Sequence, residues 1–538
     1  MEASGASGRR LIVYEDDHLL VVDKPAGINT HSASPYSGEG IYEWFRRREP
    51  RWAELAILQR LDKDTSGVLI FSKSRRGNVS LNKQFTRRRL EKEYVFWTDR
   101  RPPQGHWTER SFIRKGAGRF ESQDDDGNGG LAAETHFSVQ GESGGRWVVQ
   151  AKPVTGRTHQ IRIHAANSGL PILGDTLYGG SPYPRLCLHA RSLSLRHPAT
   201  NESLVFCTEP DFTRLPDAGL REAFVDRSEN TAYRRIHGAA DGHGGWYVDR
   251  LGEYLLASTD GVDVEGGLPG WLTEMAAQSG VRGVYHRRLD RQIRGTSPES
   301  ASPRPVWGER APEVFEVWEN GVRYGLSFAE GYSVGLFLDQ RDNRRRLLVN
   351  WIGPEFPVRA EGLKGAKVLN AFAYTCGFSV AAAKSGAVVT SLDLSKKYLE
   401  WGRRNFEVNQ LDAGTHDFIY GDAFDWMRRL GKKGRRFDVV IVDPPTFSQS
   451  KERGVFRAET DFAALVTSCV GVLEPGGVLL ASTNAARLEA ENWMAQVGAG
   501  VTAAGRTVEK QMFVPQPPDF PTCREEPGYL KTVWARVR

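Results

Sequence analysis

The sequence has few cysteines, no long apolar run and little net charge, and each shortage narrows the range of functions. Five cysteines stand among 538 residues, and none forms a CxxC pair or a spacing that would bind a metal. This pattern excludes a disulfide scaffold and indicates a reducing compartment. No apolar run is long enough to cross a membrane, and no signal peptide is present. We therefore expect a cytoplasmic protein without a bound metal.

The charge balance is mild. The chain has 72 basic and 66 acidic residues, a net charge of +6, which permits a polyanionic partner without requiring one. Basic clusters at residues 46–48, 87–89, 344–346 and 432–436 fit phosphate contacts, although each alone is more typical of a solvated face. The length exceeds what one core accommodates, so two or three domains are expected.

A polar turn between two apolar segments marks the first candidate site. In residues 57–71, Asp62 precedes an apolar, β-rich segment that predicts a buried strand. Asp62 would then lie on a loop held by a rigid sheet, as a reacting carboxylate would. Taken alone, the pattern favours a loop cap or a surface ion pair.

Three later blocks follow in the order of a known family. They are residues 156–164 (GRTHQIRIH), 171–179 (PILGDTLYG) and 185–198, which begin RLCLHA and end at His197-Pro198. With the Asp62 segment they resemble the RluA-type RNA pseudouridine synthases across most of the first 212 residues. The resemblance implies a mixed, antiparallel-sheet domain that isomerises uridine to pseudouridine with neither metal nor cofactor.

The same resemblance assigns roles to single residues. Asp62 would attack the target uridine, so that the base detaches, turns and rejoins its ribose through carbon. Arg162 would hold down the pKa of that carboxyl, and Tyr94 would stack on the flipped base. Tyr94 also fits a core strand residue. Contacts with RNA would come from Arg60, Arg157, His159 and Gln160.

Local patterns place these residues on elements. Residues 158–168 predict a helix with Thr158 as the N-cap and Gly169 just past its end. Arg162 would then lie one turn into the helix, close to the loop of Asp62. Residues 121–130 (ESQDDDGNGG) predict a hairpin tip or a disordered loop.

A small α+β unit is expected between two larger ones. Motif density falls at residues 210–227, which marks a boundary. Beyond it, residues 232–257 contain strand-like runs, 271–279 have helical spacing, 295–304 form a polar loop, and 314–328 alternate as a hairpin. This unit, residues 228–330, resembles the middle domain of the large-subunit rRNA methyltransferases of the RlmI and RlmK type.

The second candidate site follows in a nucleotide-binding pattern. Residues 367–378 predict a buried strand, a turn and a helix. Asp393 ends the next strand about twenty residues on, as ribose recognition requires. The lack of GxGxxG argues against NAD. The turn Asp443-Pro444-Pro445 after an apolar strand resembles class I S-adenosylmethionine methyltransferases.

That resemblance covers residues 228–538 and implies a Rossmann-like domain at 331–538 that binds S-adenosylmethionine. Asp393 would hold the ribose hydroxyls, and Asp422 would hold the adenine amino group unless it is only a helix N-cap. Asp443 would lie nearest the transferred methyl group. The wall of the methionine pocket would come from Asn370, Phe372 and Gly377.

The receiving atom can be argued from chemistry. Methylation of cytosine C5 requires a thiolate to add at C6 first, and C5-methylating relatives have a cysteine after the strand matched here by residues 477–481. Ser482, Thr483 and Asn484 stand there instead. A base nitrogen already has a lone pair, so positioning and desolvation suffice. The segments after both strands resemble relatives that make 7-methylguanosine.

The sequence as a whole predicts a multidomain α+β and α/β protein with domains at residues 10–212, 228–330 and 331–538. We expect a bifunctional enzyme that forms pseudouridine and methylates guanine N7 in 23S ribosomal RNA. Three alternatives stay open. The substrate would be transfer RNA, one domain would be an inactive RNA-binding module, or the methyl target would be cytosine C5.

Overall fold

The computed structural model describes residues 11–34, 36, 40–125, 129–262, 267–289, 301–450, 454–523 and 525–538. The chain divides into two compact units. The first comprises residues 1–33, 39–46 and 51–224, and the second comprises residues 34–38, 47–50 and 225–538. Within the described residues, no helix is both long and apolar enough to cross a membrane.

The first unit is built on an eleven-stranded sheet. Its strands are β1 Ile12–Glu15, β2 Leu19–Lys24, β3 Ala56–Ile57, β4 Ser66–Ser72, β5 Glu91–Thr98, β6 His106–Lys115, β7 Phe120–Gln123, β8 Leu131–Ser143, β9 Arg146–Pro153, β10 Leu188–Arg196 and β11 Ser203–Cys207. The helices of this part of the chain are α1 Ile41–Arg48, α2 Arg75–Thr86, α3 Gln160–Asn167 and α4 Pro216–Phe224. The strand order is β1-β2-β4-β10-β5-β9-β8-β6-β7, with β3 beside β4 and β11 beside β10. The sheet is mixed, because β4 and β10 are parallel and the other pairs are antiparallel.

Strand β4 anchors the loop of Asp62. All seven of its residues are buried, as its apolar sequence predicts. Gly67 allows β4 to approach β10 closely, because a Cβ there would lie 2.2 Å from the carbonyl oxygen of Ala190, and its φ is +115°. Only glycine fits this position. The strand therefore begins at a constrained point four residues after Asp62.

Two sequence predictions for the first unit need correction. Helix α3 begins at Gln160, and its N-cap is His159 in the left-handed conformation rather than Thr158. Part of the predicted loop 121–130 is strand, since β7 extends to Gln123, and residues 126–128 lie outside the described residues. The compact unit itself continues through α4 to Phe224, and the domain bounds 10–212 stay a prediction.

The second unit opens with a five-stranded sheet and a hairpin. The sheet, in order, is β12 Ala232–His237, β13 Trp246–Leu251, β14 Tyr254–Thr259, β15 Gly283–Arg288 and β16 Arg304–Gly308. Helix α5, Gly270–Gln278, confirms the predicted helical spacing. The predicted hairpin is also confirmed, as β17 Phe315–Glu319 and β18 Val322–Leu326. Of the predicted loop 295–304, residues 295–300 lie outside the described residues.

The rest of the unit contains a seven-stranded sheet in the order β23-β22-β21-β24-β27-β29-β28. Its strands are β21 Lys367–Ala371, β22 Val388–Asp393, β23 Asp417–Tyr420, β24 Phe437–Val442, β27 Leu473–Thr483, β28 Val508–Pro515 and β29 Lys531–Val537. Two short hairpins add β19 Trp351–Gly353, β20 Phe356–Pro357, β25 Phe447–Ser450 and β26 Gly454–Arg457. The helices are α6 Arg341–Leu348, α7 Gly377–Lys384, α8 Lys396–Val408, α9 Ala423–Lys432, α10 Ala458–Val470 and α11 Ala490–Ala503.

The first five strands of this sheet are parallel, and β29 runs antiparallel to both β27 and β28. The strand order reverses between β21 and β24, so a ligand crevice is expected at their carboxyl ends. The segments predicted as domains 228–330 and 331–538 share one hydrophobic cluster, which joins Tyr254 and Tyr285 to Leu338 and Trp534. Each segment also has a hydrophobic cluster of its own, so the shared cluster joins two packed segments.

Candidate active sites

The loop that carries Asp62 is tied down on both sides. Thr30 Oγ1 donates to the carbonyl oxygen of Leu61 at 2.9 Å and accepts from its N–H at 3.1 Å. The ammonium group of Lys24 donates to the carbonyl oxygen of Lys63 at 3.0 Å. Lys24 is fully buried, and burial lowers its pKa to about 7. These contacts hold the residues before and after Asp62 while its own side chain stays partly exposed.

Arg162 connects Asp62 to a buried carboxylate. Its Nη1 lies 3.6 Å from Asp62 Oδ2, and its Nε and Nη2 donate to Asp175 at 2.7 and 2.8 Å. Burial disfavours the charged guanidinium, but the hydrogen bonds and charge of Asp175 and the charge of Asp62 raise the pKa of Arg162. The Asp175 side chain is 1% exposed and that of Asp62 is 29% exposed. The predicted proximity of Asp62 and Arg162 is confirmed, and their catalytic roles stay predictions.

The other predicted residues of this site fall into two groups. Tyr94 is half-buried on β5, and burial, followed by the charge of Asp62, raises the pKa of its phenol. His159 Nε2 lies 3.8 Å from Asp62 Oδ2. Arg60 is exposed and Arg157 half-buried. These four residues stay candidates for contact with RNA or with the flipped base.

Gln160 is a correction. It was predicted to contact RNA, but its side chain is 3% exposed and its amide is used inside the protein. Nε2 donates to Glu134 O and Thr135 Oγ1, and Oε1 accepts from Arg157 N–H and Thr155 Oγ1. Gln160 therefore joins the start of α3 to β8.

Sequence reasoning assigned no role to Asp175, Tyr178 or Lys24, although all three belong to this site. Asp175 and Tyr178 stand in the block 171–179, so a signal was present. Tyr178 packs under the Arg162 guanidinium, 5.0 Å from ring centroid to Cζ. Lys24 stands at the end of a predicted strand, where nothing in the sequence shows that its ammonium turns inward.

Asp175→Asn tests the support of Arg162. We expect the variant to form pseudouridine at least tenfold more slowly, because the guanidinium loses its charged partner and its orientation. Removing one partner of a buried ion pair also destabilises a fold by about 3–5 kcal/mol. Single-turnover pseudouridine formation and thermal unfolding would measure both effects. Asp211→Asn, an exposed carboxylate of the same unit, is the control, and equal rates for the two variants would contradict the assignment.

In the second unit, three carboxylates lie at the carboxyl ends of parallel strands of one sheet. Asp393 ends β22, Asp422 follows β23, and Asp443 follows β24. The oxygens of Asp393 accept the N–H groups of Tyr374 and Ser395, both at 2.8 Å. Each carboxylate oxygen has a second lone pair, so the pair can still accept two hydroxyl donors. Burial raises the pKa of Asp393.

Asp422 is a helix N-cap. Its Oδ1 accepts from the N–H groups of Phe424 and Asp425 at 3.0 and 3.1 Å, at the start of α9. This is the local role that the sequence left open. A role for Asp422 at adenine stays a prediction that depends on its second oxygen.

The turn between β21 and α7 has unusual backbone geometry. Phe372, Tyr374 and Cys376 have φ values of +61°, +50° and +64°. Non-glycine residues rarely adopt this conformation, and such residues concentrate at ligand sites. Gly377 then begins α7. Asn370 is buried and donates to Ser379 Oγ at 2.9 Å, so its side chain links β21 to α7 across the turn.

Asp443 is held by a residue that sequence reasoning did not single out. Gln340 Nε2 donates to Asp443 Oδ2 at 3.0 Å and to Ser482 Oγ at 2.8 Å. Asn343 donates to Gln340 Oε1 at 2.7 Å, which orients the amide. Burial, followed by the charge of Asp339, raises the pKa of Asp443 to about 7. Gln340 and Asp443 are about a hundred residues apart in sequence, and only the fold brings them into contact.

A second contact closes the same edge of the sheet. Thr446 Oγ1 donates to Asn484 Oδ1 at 2.7 Å. Both residues are accessible, Thr446 partly and Asn484 more fully. Strands β24 and β27 are neighbours, with Val442 opposite Ala481. Asp443 and Asn484 therefore lie at the same carboxyl edge.

The residues of this crevice fit S-adenosylmethionine. A turn with three residues at positive φ lies beside the start of α7, and a carboxylate with two open acceptor positions ends the adjacent strand. These features match a nucleoside with two ribose hydroxyls.

Comparison with known proteins matches each half separately. Residues 18–167 match the family described as RNA pseudouridylate synthase, and residues 272–534 match the family described as S-adenosylmethionine-dependent methyltransferase. The chain thus joins an isomerase to a transferase that uses S-adenosylmethionine, and it is a bifunctional RNA-modifying enzyme.

One relative is similar to more than half of the chain. Ribosomal RNA large subunit methyltransferase I of Aeromonas hydrophila is 31% identical over 329 residues, which cover 59% of this chain and 78% of that protein. The chain belongs to the S-adenosylmethionine-dependent methyltransferase family that includes this relative.

Solved structures resemble each half. A crystal structure of the protein SMU.776 complexed with SAH is 27% identical, covers 64% of this chain and 87% of its own, and has a TM-score of 0.49. The structure of human RNA pseudouridylate synthase domain containing 1 is 26% identical and covers 39% of this chain and 86% of its own. Its TM-score is 0.32.

Proposed function

We propose that the first unit is an RluA-type pseudouridine synthase and that the second methylates guanine N7, both acting on 23S ribosomal RNA in the cytoplasm. The second unit would be of the RlmI and RlmK type. The functional domains would be residues 10–212, 228–330 and 331–538. The choice of ribosomal RNA is supported by the name of the Aeromonas relative, a large-subunit rRNA methyltransferase.

In the first unit, Asp62 would act on a uridine held against Tyr94. The carboxylate attacks C1′ as the bond between N1 and C1′ breaks, the base turns, and C5 displaces the carboxylate as it bonds to C1′. C5 then loses a proton and N1 gains one, so the reaction is an isomerisation. Asp175 orients the Arg162 guanidinium, and Arg162 in turn orients the Asp62 carboxylate.

In the second unit, the choice of guanine is carried by the contact between Thr446 and Asn484. Thr446 occupies the carbonyl oxygen of the Asn484 amide, so the side chain offers a ligand its two N–H donors. The Hoogsteen edge of guanine presents two acceptors, N7 and O6, whereas adenine and cytosine present an amino group there. Asn484 would donate to O6 and leave N7 open for methylation.

Asp443 would complement this choice electrostatically. Methylation at N7 creates a positive charge on the purine, and a carboxylate at the edge of the crevice stabilises it. S-adenosylmethionine, when bound, supplies an electrophilic methyl group. Asp393 would hold its ribose, Asp422 its adenine, and Asn370, Phe372 and Gly377 would shape the pocket for its methionine end.

Cytosine C5 remains the second candidate target, because the RlmI type is part of the resemblance. It requires a thiolate near the crevice. Cys376 and Cys469 are fully buried, and burial raises the pKa of both thiols to about 12. Cys523, partly exposed between β28 and β29, is the cysteine of this unit that this candidate would use.

Nucleoside mass spectrometry of separated ribosomal and transfer RNA tests the whole proposal. In a strain that lacks the gene, we expect one pseudouridine and one 7-methylguanosine to be missing from 23S ribosomal RNA. Loss of both from transfer RNA would move the substrate, and loss of 5-methylcytidine instead would assign cytosine C5. In that case RNA containing 5-fluorocytidine would trap the wild-type chain covalently but not Cys523→Ser.

A further inference from the structure

His159 adopts a backbone conformation that residues other than glycine rarely adopt. Its φ of +56° and ψ of 15° lie in the left-handed region, and it is the N-cap of α3 without a side-chain capping hydrogen bond. Serine, threonine, aspartate and asparagine are the usual N-cap residues, because their side chains bond to the first N–H groups of the helix. Residues in strained backbone conformations concentrate at functional sites. The conformation directs the imidazole away from the helix.

Tyr178 forms hydrogen bonds with both the His159 ring and the backbone of Phe120. The Tyr178 hydroxyl donates to the carbonyl oxygen of Phe120 at 3.1 Å, so its single proton is used there. Its oxygen then accepts from His159 Nδ1 at 2.8 Å. The tautomer that completes this pattern has Nδ1 as the donor and the free lone pair on Nε2.

That lone pair faces the catalytic loop. His159 Nε2 lies 3.8 Å from Asp62 Oδ2, and the side chain is 21% exposed. The charged groups around the ring are Asp62 from the loop before β4, Arg162 from α3 and Asp175 from the segment after it. The ring of Phe120 and that of Tyr178 contact it edge-on, each with centroids 5.6 Å apart. Burial lowers the pKa of His159, so the neutral base prevails near pH 7.

Pseudouridine formation needs a base at one specific step. After C5 bonds to C1′, C5 still holds its hydrogen, and aromaticity returns only when that proton leaves and its electron pair re-forms the C5–C6 double bond. We propose that His159 Nε2 is the general base that accepts the proton from C5. The resulting imidazolium lies beside the Asp62 carboxylate, which stabilises it. The proton then passes to water, and N1 takes one up, so no proton is gained or lost overall.

The alternative base nearby is Tyr94, the predicted stacking residue. Burial and the charge of Asp62 raise the pKa of its phenol, so it holds its own proton at neutral pH. A neutral phenol oxygen is a much weaker base than a neutral imidazole nitrogen. The geometry therefore favours His159.

His159→Gly removes the imidazole without straining the chain, because glycine accepts a positive φ readily. The substrate is total RNA from a strain that lacks the gene and cannot make pyrimidines, grown on uracil with either hydrogen or deuterium at C5. We expect the variant to form pseudouridine at least about a hundredfold more slowly than the wild type. We also expect its deuterium isotope effect to exceed that of the wild type and added imidazole to restore part of the rate.

Controls separate this role from a structural one. His136→Gly removes an exposed histidine from β8 and should leave the rate and the isotope effect unchanged. Methyl transfer by the same preparations and an unaltered thermal transition of His159→Gly report that the chain is folded. A wild-type rate in His159→Gly overturns the proposal. A slow variant whose isotope effect matches the wild type and that imidazole does not rescue overturns it as well. If the wild-type chain forms no pseudouridine in this RNA, both the proposed isomerase substrate and the inference fail.

Discussion

Asp62→Ala is expected to slow pseudouridine formation by at least about a thousandfold and to leave methyl transfer at the wild-type rate. The reason is chemical, because the variant has no carboxylate at the position that attacks the nucleoside. The two reactions separate because Asp62 and Asp443 belong to different compact units of the chain. The measurement is nucleoside mass spectrometry of RNA from the deletion strain carrying the variant gene.

Asp64→Ala is the matched control for this experiment. Asp64 lies on the same loop two residues away and is exposed, so its removal changes the local charge without removing the proposed nucleophile. We expect it to restore pseudouridine in the deletion strain. If Asp62→Ala restores pseudouridine as well, the carboxylate at 62 is not the nucleophile.

The second large effect concerns Asp443 and pH. Burial and the charge of Asp339 raise the pKa of Asp443 to about 7, so the group loses its charge as the pH falls through about 7. If its negative charge stabilises the methylated purine, methyl transfer should rise with pH up to about 7 and level off above it. Asp443→Asn should be about a hundredfold slower and should lose this pH dependence. Single-turnover transfer from radiolabelled S-adenosylmethionine between pH 5.5 and 8.5 would show both.

The raised pKa of Asp443 also predicts a pH dependence of stability, which is opposite in sign to that of methyl transfer. The unfolded chain ionises Asp443 at its ordinary, lower pKa, so the folded state binds the proton more tightly between that value and about 7. The contribution of this group to folding therefore falls as the pH rises through this window. At pH 8, Asp443→Asn should unfold at a higher temperature than the wild type. Asp417→Asn, an exposed control, should show neither this stabilisation nor the loss of pH dependence in methyl transfer. A pH-independent methyl transfer in the wild type would contradict the electrostatic role.

Much of the first site could be predicted because its residues stand in contiguous motifs. The apolar run of β4 predicted a buried strand, and the motif at residues 156–164 predicted a helix with Arg162 one turn in. What the motif did not show was the direction of each side chain. Gln160 turns into the protein and His159 turns toward Asp62, although the two are neighbours in sequence.

The second site shows the same division. The positions of Asp393 and Asp443 after their strands followed from the alternation of apolar strands and helices. Gln340 did not, because its role depends on contacts with residues more than a hundred positions away. Long-range hydrogen bonds of this kind have no periodic trace in sequence.

By itself, the sequence determined the class of each half, the order of the elements and the chemical groups available, since periodicity and motif spacing depend on residues close together along the chain. The tertiary structure alone decided which groups meet. It directed the imidazole at 159 to the carboxylate at 62 and placed a tyrosine hydroxyl on its other nitrogen. It also placed an amide from position 340 on the carboxylate at 443. Those pairings arise from strand register and burial, which are set only when distant segments pack together.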